Sequence, residues 1–247
     1  MVSIYGKLAI AATSTILAMT ATPAQAFNFT NGLVGGTCQP LVTPGTTLSS
    51  CTTEDGFTIT SDPRPLESKR VGGVIGVGVQ GGFVGGEIDL AAEKVTLDLP
   101  GDQPAILKSL DLSFLYLPGE FRDTVFEKAQ VKANTTGGFI DGYLTVGDEN
   151  TVRWQVSDLG IDQELTALSA STDNPVGGGW YSILEPFGNT SITNLELTAV
   201  QQGTSPGSHN SDFSLVGAVK TPEPTTLVGL GLVAGALLAV RRRQLNH

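Results

Sequence analysis

Apolar and polar residues alternate with period two along much of the chain. Phe57-Thr58-Ile59-Thr60, Val95-Thr96-Leu97-Asp98-Leu99 and Leu110-Asp111-Leu112-Ser113-Phe114-Leu115-Tyr116 each put apolar side chains on one side of an extended backbone. Phe139 to Val146, Val152 to Val156, Trp180 to Leu184, Leu195 to Ala199 and Phe213 to Val219 read the same way. Clusters of Gly, Pro, Asn and Asp separate them, as at Pro100-Gly101-Asp102, Pro118-Gly119, Gly147-Asp148-Glu149-Asn150 and Asn174 to Gly179. About nine to eleven short strands with polar outer faces predict an all-β fold, a two-sheet antiparallel sandwich of jelly-roll type. Asp162 to Ser169 fits either a helical turn or a strand, and no long helix is predicted before residue 225.

The two ends break this pattern. Lys7 opens a mostly apolar run from Leu8 to Met19, followed by Pro23 and the triplet Ala24-Gln25-Ala26. A basic start, a short apolar centre and an Ala-x-Ala ending are what a signal peptidase reads, because only small side chains fit beside the scissile bond. Residues 1–26 are therefore predicted to be a signal peptide cleaved after Ala26, with Ala24 and Ala26 as the recognised small residues. At the other end, Thr221-Pro222-Glu223-Pro224 precedes an uncharged stretch to Val240 and then Arg241-Arg242-Arg243. Residues 225–240 would rise about 24 Å as a helix, somewhat less than a bilayer core. Local thinning and arginine snorkelling close the gap, and the arginines hold that end in the cytoplasm. Residues 27–220 are then an ectodomain on the far side of the membrane.

Composition narrows the ectodomain. The chain has 247 residues, 24 Asp+Glu against 14 Lys+Arg, and a net charge of −10. Lys7, Arg241 to Arg243 and Glu223 fall outside 27–220, so the whole-chain −10 becomes −13 for that segment. Such a charge excludes nucleic acid as a partner, since affinity for phosphates comes from Lys and Arg. It also discourages anionic polysaccharide unless divalent cations bridge the two. Cys38 and Cys51 are the only cysteines. Export makes a disulfide between them the expectation, contributing about 3 kcal/mol in the chain-entropy description.

The tail resembles the PEP-CTERM sorting signal of Gram-negative bacteria, a segment also catalogued as an ice-binding protein C-terminal domain. Pro222-Glu223-Pro224, the apolar span and the basic end of residues 221–247 carry the resemblance. It implies recognition at Pro222-Glu223-Pro224 by an exosortase, a membrane-embedded cysteine peptidase. Processing partners would be signal peptidase and exosortase, with transient inner-membrane anchoring through the C-terminal helix. The destination would be the cell surface or extracellular matrix, with exopolysaccharide as a candidate partner. The resemblance assigns a destination and not an activity.

Candidate chemistry is sparse. Gly76-Val77-Gly78-Val79-Gln80-Gly81 spells a dinucleotide fingerprint, but Gly82-Phe83-Val84-Gly85-Gly86 cannot continue as the helix it requires. Glycines allowing close backbone approach within a strand are the better reading. His209, in a turn-like loop, is the single histidine of residues 27–220, which leaves no zinc set and no nucleophile-elbow pattern to support a triad. No catalytic residue and no cofactor is therefore assigned. Asp148, Asp158, Asp162 and Glu164 are weak calcium candidates, since acidic turns supply oxygen ligands, although no EF-hand spacing occurs. Trp154, between Val152 and Val156, reads as core. Trp180 and Tyr181 follow three glycines and are the candidate sugar-stacking surface, with Tyr143 a further aromatic of the same kind. Regular T-x-T rows, which an ice-binding face would need, reduce to Thr58-Ile59-Thr60.

The sequence therefore predicts an exported structural or adhesive surface protein that is not an enzyme. A carbohydrate-binding module is the alternative, and a secreted polysaccharide-active enzyme a more distant one.

Overall fold

A computed structural model describes residues 24–82, 85–89, 92–101, 103–116, 126–147, 151–168, 180–200 and 211–221. These lie within one compact unit, Ala24–Pro222. The expected sorting motif, the apolar tail with its arginines, Asp148 and His209 lie outside the described residues. Among the described residues no helix is long and apolar enough to cross a membrane.

The described chain is built of strands. In order these are β1 Gln25–Asn28, β2 Thr47–Leu48, β3 Ser50–Thr52, β4 Thr58–Asp62, β5 Leu66–Val71, β6 Val74–Val79, β7 Lys94–Asp98 and β8 Ala105–Ser113. There follow β9 Lys128–Thr135, β10 Gly138–Val146, β11 Thr151–Val156, β12 Ile161–Thr166, β13 Trp180–Leu184, β14 Ser191–Ile192, β15 Asn194–Ala199 and β16 Ser214–Lys220. Short 3-10 segments at Gly36–Val42 and Ser157–Leu159 are the only helical turns described.

Two eight-stranded antiparallel sheets form a β-sandwich. Sheet A runs β13-β8-β16-β6-β5-β2, and sheet B runs β12-β11-β10-β9-β15-β7-β4-β3. One edge of β16 is shared, with Leu215 opposite Val77 of β6 and residues 217–220 paired with β1. β8 is likewise shared on one edge between β13 and β14.

Alternation explains the core between the sheets. Ile59, Val95, Leu97, Val131, Leu144 and Leu195 of sheet B meet Leu66, Val77, Leu110, Leu112, Ile183 and Leu215 of sheet A in one buried cluster. Burial of this apolar surface is the main favourable term in folding. Trp154 is fully buried, donates from Nε1 to Pro186 O (2.8 Å) and meets Phe187 edge to face. The facing residue is Gly142 because a Cβ there would lie 2.3 Å from the Trp154 ring.

Cys38 and Cys51 are joined, with Cα atoms 4.8 Å apart. The bond fixes the Gly36–Val42 segment against β3, and both cysteines are buried.

Candidate functional site

Strand alternation separates the two aromatics expected to stack on a sugar together. On β13, Tyr181 points into the core and is 3% exposed, while Trp180 is half-buried on the opposite side. Neighbours along a strand face opposite sides of the sheet, so Trp180 and Tyr181 cannot form one platform. The Tyr181 hydroxyl is pushed up to about 12, first by burial and then by the negative charge of Glu127.

Trp180 belongs to a second apolar cluster, with Val74, Phe114, Tyr116, Val216 and Val71, on the outer face of sheet A. A polar group sits beside it. Register places Ser113 opposite Trp180 and Asp111 opposite Ser182. Asn28 Nδ2 donates to Asp111 Oδ2 (3.3 Å). Burial raises the Asp111 carboxyl above its usual value, and the nearness of Ser182, Trp180 and Asn28 opposes that shift without cancelling it. Trp180 Nε1, Asp111 Oδ1 and Ser113 Oγ are nonetheless buried without hydrogen-bond partners.

The same face carries Glu87, which is wholly buried. Lys69 Nζ donates to Glu87 Oε1 (2.6 Å) and lies 5.5 Å from the centre of the Phe114 ring. Burial, followed by the charges of Asp212 and Asp89, raises the Glu87 carboxyl to about 8, and Lys69 only partly offsets this. Glu87 Oε2 and Asp212 Oδ1 have no hydrogen-bond partner.

The fingerprint-like glycines lie in this sheet. β6 is buried along its whole length, and a Cβ on Gly76 would meet Ser214 Cβ at 2.4 Å and Phe114 at 2.9 Å. They serve close packing between strands, as a strand reading requires.

Of the calcium candidates, Asp148 lies outside the described residues, and Asp158, Asp162 and Glu164 form no group placed to hold a metal ion. Asp162 accepts two hydrogen bonds from Arg153, at 2.6 Å each, which hold its carboxyl below the usual range. Asp158 sits in the Ser157–Leu159 turn and Glu164 is opposite Arg153 on the next strand. Among the described residues no group of three or more His, Cys, Asp or Glu is placed to hold a metal ion. An open depression at the sandwich edge, lined by Lys108, Gln163, Leu184 and Glu185, contains the Lys108–Glu185 ion pair (2.8 Å).

The outer face of sheet B differs in kind. Its exposed positions form polar rows across the strands, such as Gln155, Tyr143, Gln130, Thr198 and Lys94 in consecutive register. Two rings stand on it, Phe139 and Tyr143. Lys132 Nζ lies 5.4 Å from the centre of the first and Lys128 Nζ 4.3 Å from that of the second. Burial, followed by Asp141, raises the Tyr143 hydroxyl above its usual value. Phe139, Lys128 and Lys132 were not among the candidates from sequence. The alternation Phe139-x-Asp141-x-Tyr143 was the available signal, but the partners come from β9, whose small inward residues Ala129 and Ala133 mute its pattern.

No family model matches this chain, and neither a curated protein nor a solved structure matches it.

Proposed function

We propose that this is an exported structural or adhesive protein of the surface or extracellular matrix of a Gram-negative bacterium. In this reading residues 1–26 direct export and residues 225–240 hold the chain briefly in the inner membrane. An exosortase then acts at Pro222-Glu223-Pro224. The finer expectation of a jelly-roll connectivity belongs to the same proposal.

The observation that supports it most is the meeting of the two ends of the sandwich. β1 and β16 pair antiparallel, and Phe27, the first residue kept after cleavage, lies opposite Ala218. Segments leading to the export signal and to the sorting motif therefore depart from neighbouring positions, an arrangement suited to a domain held from one side. The last strand is firmly tied down. Lys220 is buried and donates from Nζ to Pro100 O, while Thr221 donates to Ile106 O from both its backbone N (2.9 Å) and its hydroxyl (3.0 Å). The Pro-Glu-Pro motif starts at the next residue. Prolines lack a backbone donor and cannot extend the ladder, so the junction is suited to a protease cleft.

The test is the C-terminal mass of the mature protein from hosts with and without their exosortase. Loss of Arg241 to Arg243 only when the exosortase is present supports the proposal. An intact Arg243 end in both hosts overturns it.

A carbohydrate-binding role is the second reading, favoured by the two exposed-face rings of β10.

A further inference from the structure

On β10, Phe139, Asp141 and Tyr143 alternate outward, and on β9 Lys128, Gln130 and Lys132 do the same. Register puts Phe139 opposite Asn134 and Tyr143 opposite Gln130, and each ring takes the lysine two positions nearer the start of β9. One ring-plus-ammonium unit is thus repeated at the same diagonal, four residues and about 13 Å apart along the strand. Neither ammonium has an ion-pair partner among the described residues.

Polar atoms fill the interval between the rings. Gln130 Nε2 donates to Asp141 Oδ1 (3.0 Å) and to Tyr143 Oη (3.2 Å), and Gln130 Oε1 accepts from Thr198 Oγ1 (3.3 Å). Phe139 stays 63% exposed. A large apolar ring left in water beside oriented donors and acceptors is the composition of a recognition surface.

We propose that the outer face of β9 and β10 binds a neutral polysaccharide. Its sugar rings would lie on Phe139 and Tyr143, with hydroxyls bonded to Asp141, Gln130 and the two lysines. The repeat suits a polymer, because a single sugar would occupy one unit and leave the other unused. Charge selects the neutral class. Asp141 and Glu196 flank Lys132 in register, and the net charge of −13 on residues 27–220 repels polyanions. A second copy of the chain is a poorer occupant, since the face is polar and offers little of the apolar area a stable dimer buries.

The inference rests on the reading that the protein works outside the cell among polysaccharides, and its test is separate. The full-length chain, in mild detergent, is run through native gels containing hydroxyethylcellulose, galactomannan or alginate. Retardation is expected in at least one neutral gel. Phe139→Ala and Tyr143→Ala should each weaken it by about tenfold in dissociation constant, and Trp180→Ala should leave it unchanged. Phe139→Leu, which keeps apolar bulk without a planar ring at an exposed site, guards against loss by misfolding and should behave as Phe139→Ala. Absence of retardation by both neutral polymers, retardation by alginate alone, or wild-type mobility of the ring variants overturns the proposal. Terminal masses from the expressing host report the processing pathway independently of any gel.

Discussion

In sheet B the strands β7, β9, β11 and β15 bury every second residue, whereas in sheet A β6 is buried throughout and β16 nearly so. Sheet B has one dry face and one wet face, the usual antiparallel arrangement. Around β6 and β16 sheet A is covered on both sides, and its outer side holds Lys69, Glu87, Asp111 and Ser113 among Val74, Phe114 and Val216. Burying charge and hydroxyl groups costs stability unless each finds a partner. The contrast teaches that one sandwich can place its titratable interior outside the principal core, and its accessible chemistry on the opposite sheet.

The largest expected effect comes from opening the covered side. Phe114→Ala removes a fully buried ring from the outer cluster of sheet A and the ring beneath Lys69, and should cost about 3–5 kcal/mol in denaturant unfolding. A loss near zero would show that this side is not a true core.

A smaller effect, and one with a definite sign, concerns Glu87. In the unfolded chain its carboxyl ionises near 4.5, while in the folded protein it keeps its proton to about 8. Between those values the folded state binds more protons, so its stability should fall as pH rises, by a few kcal/mol across the window, and level off above it. Glu87→Gln mimics the protonated form and retains an acceptor for Lys69. Thermal melts from pH 4 to pH 9 should show that decline in the parent and a flatter profile in the variant, which should be the more stable at pH 9. Parallel profiles would remove Glu87 as the cause.

The smallest effect sharpens the comparison from the wet side. Thr198→Ala on the outer face of β15 should change stability by less than about 0.5 kcal/mol. A larger loss would mean that this face is also packed.

Much of the architecture was legible because alternation is strong where inward residues are large. Val152 to Val156, Trp180 to Leu184 and Leu195 to Ala199 each coincide with a strand to within a residue. Sixteen strands are described, more than the sequence suggested. Some of the excess is the short strands β1, β2, β3 and β14, which are held by neighbours and not by any pattern of their own. β9 escaped because Ala129 and Ala133 are small, and β5 because it buries Ser68 where an apolar residue was expected. Leu110 to Tyr116 alternates as a single strand, but Phe114 takes φ +67°, and β8 stops at Ser113. Asp162 to Thr166 lies in the edge strand β12, none of whose residues is fully buried.

The site was less legible than the fold. The disulfide was expected from the count of two cysteines and the export signal read in the sequence. The pairing of Phe139 with Lys132 and of Tyr143 with Lys128 depends on cross-strand register, which a single strand's sequence does not contain. Separation of Trp180 from Tyr181 was implicit in strand period, yet their adjacency after three glycines suggested a common surface.

The most direct test is the intact mass of the protein recovered from the cell-surface fraction, taken before and after reduction and alkylation. The account expects a chain that begins at Phe27, ends at the Pro222-Glu223-Pro224 region, and gains two alkyl groups only after reduction. A molecule running from Met1 to His247, found in the cytosol with both thiols already reactive, would contradict it.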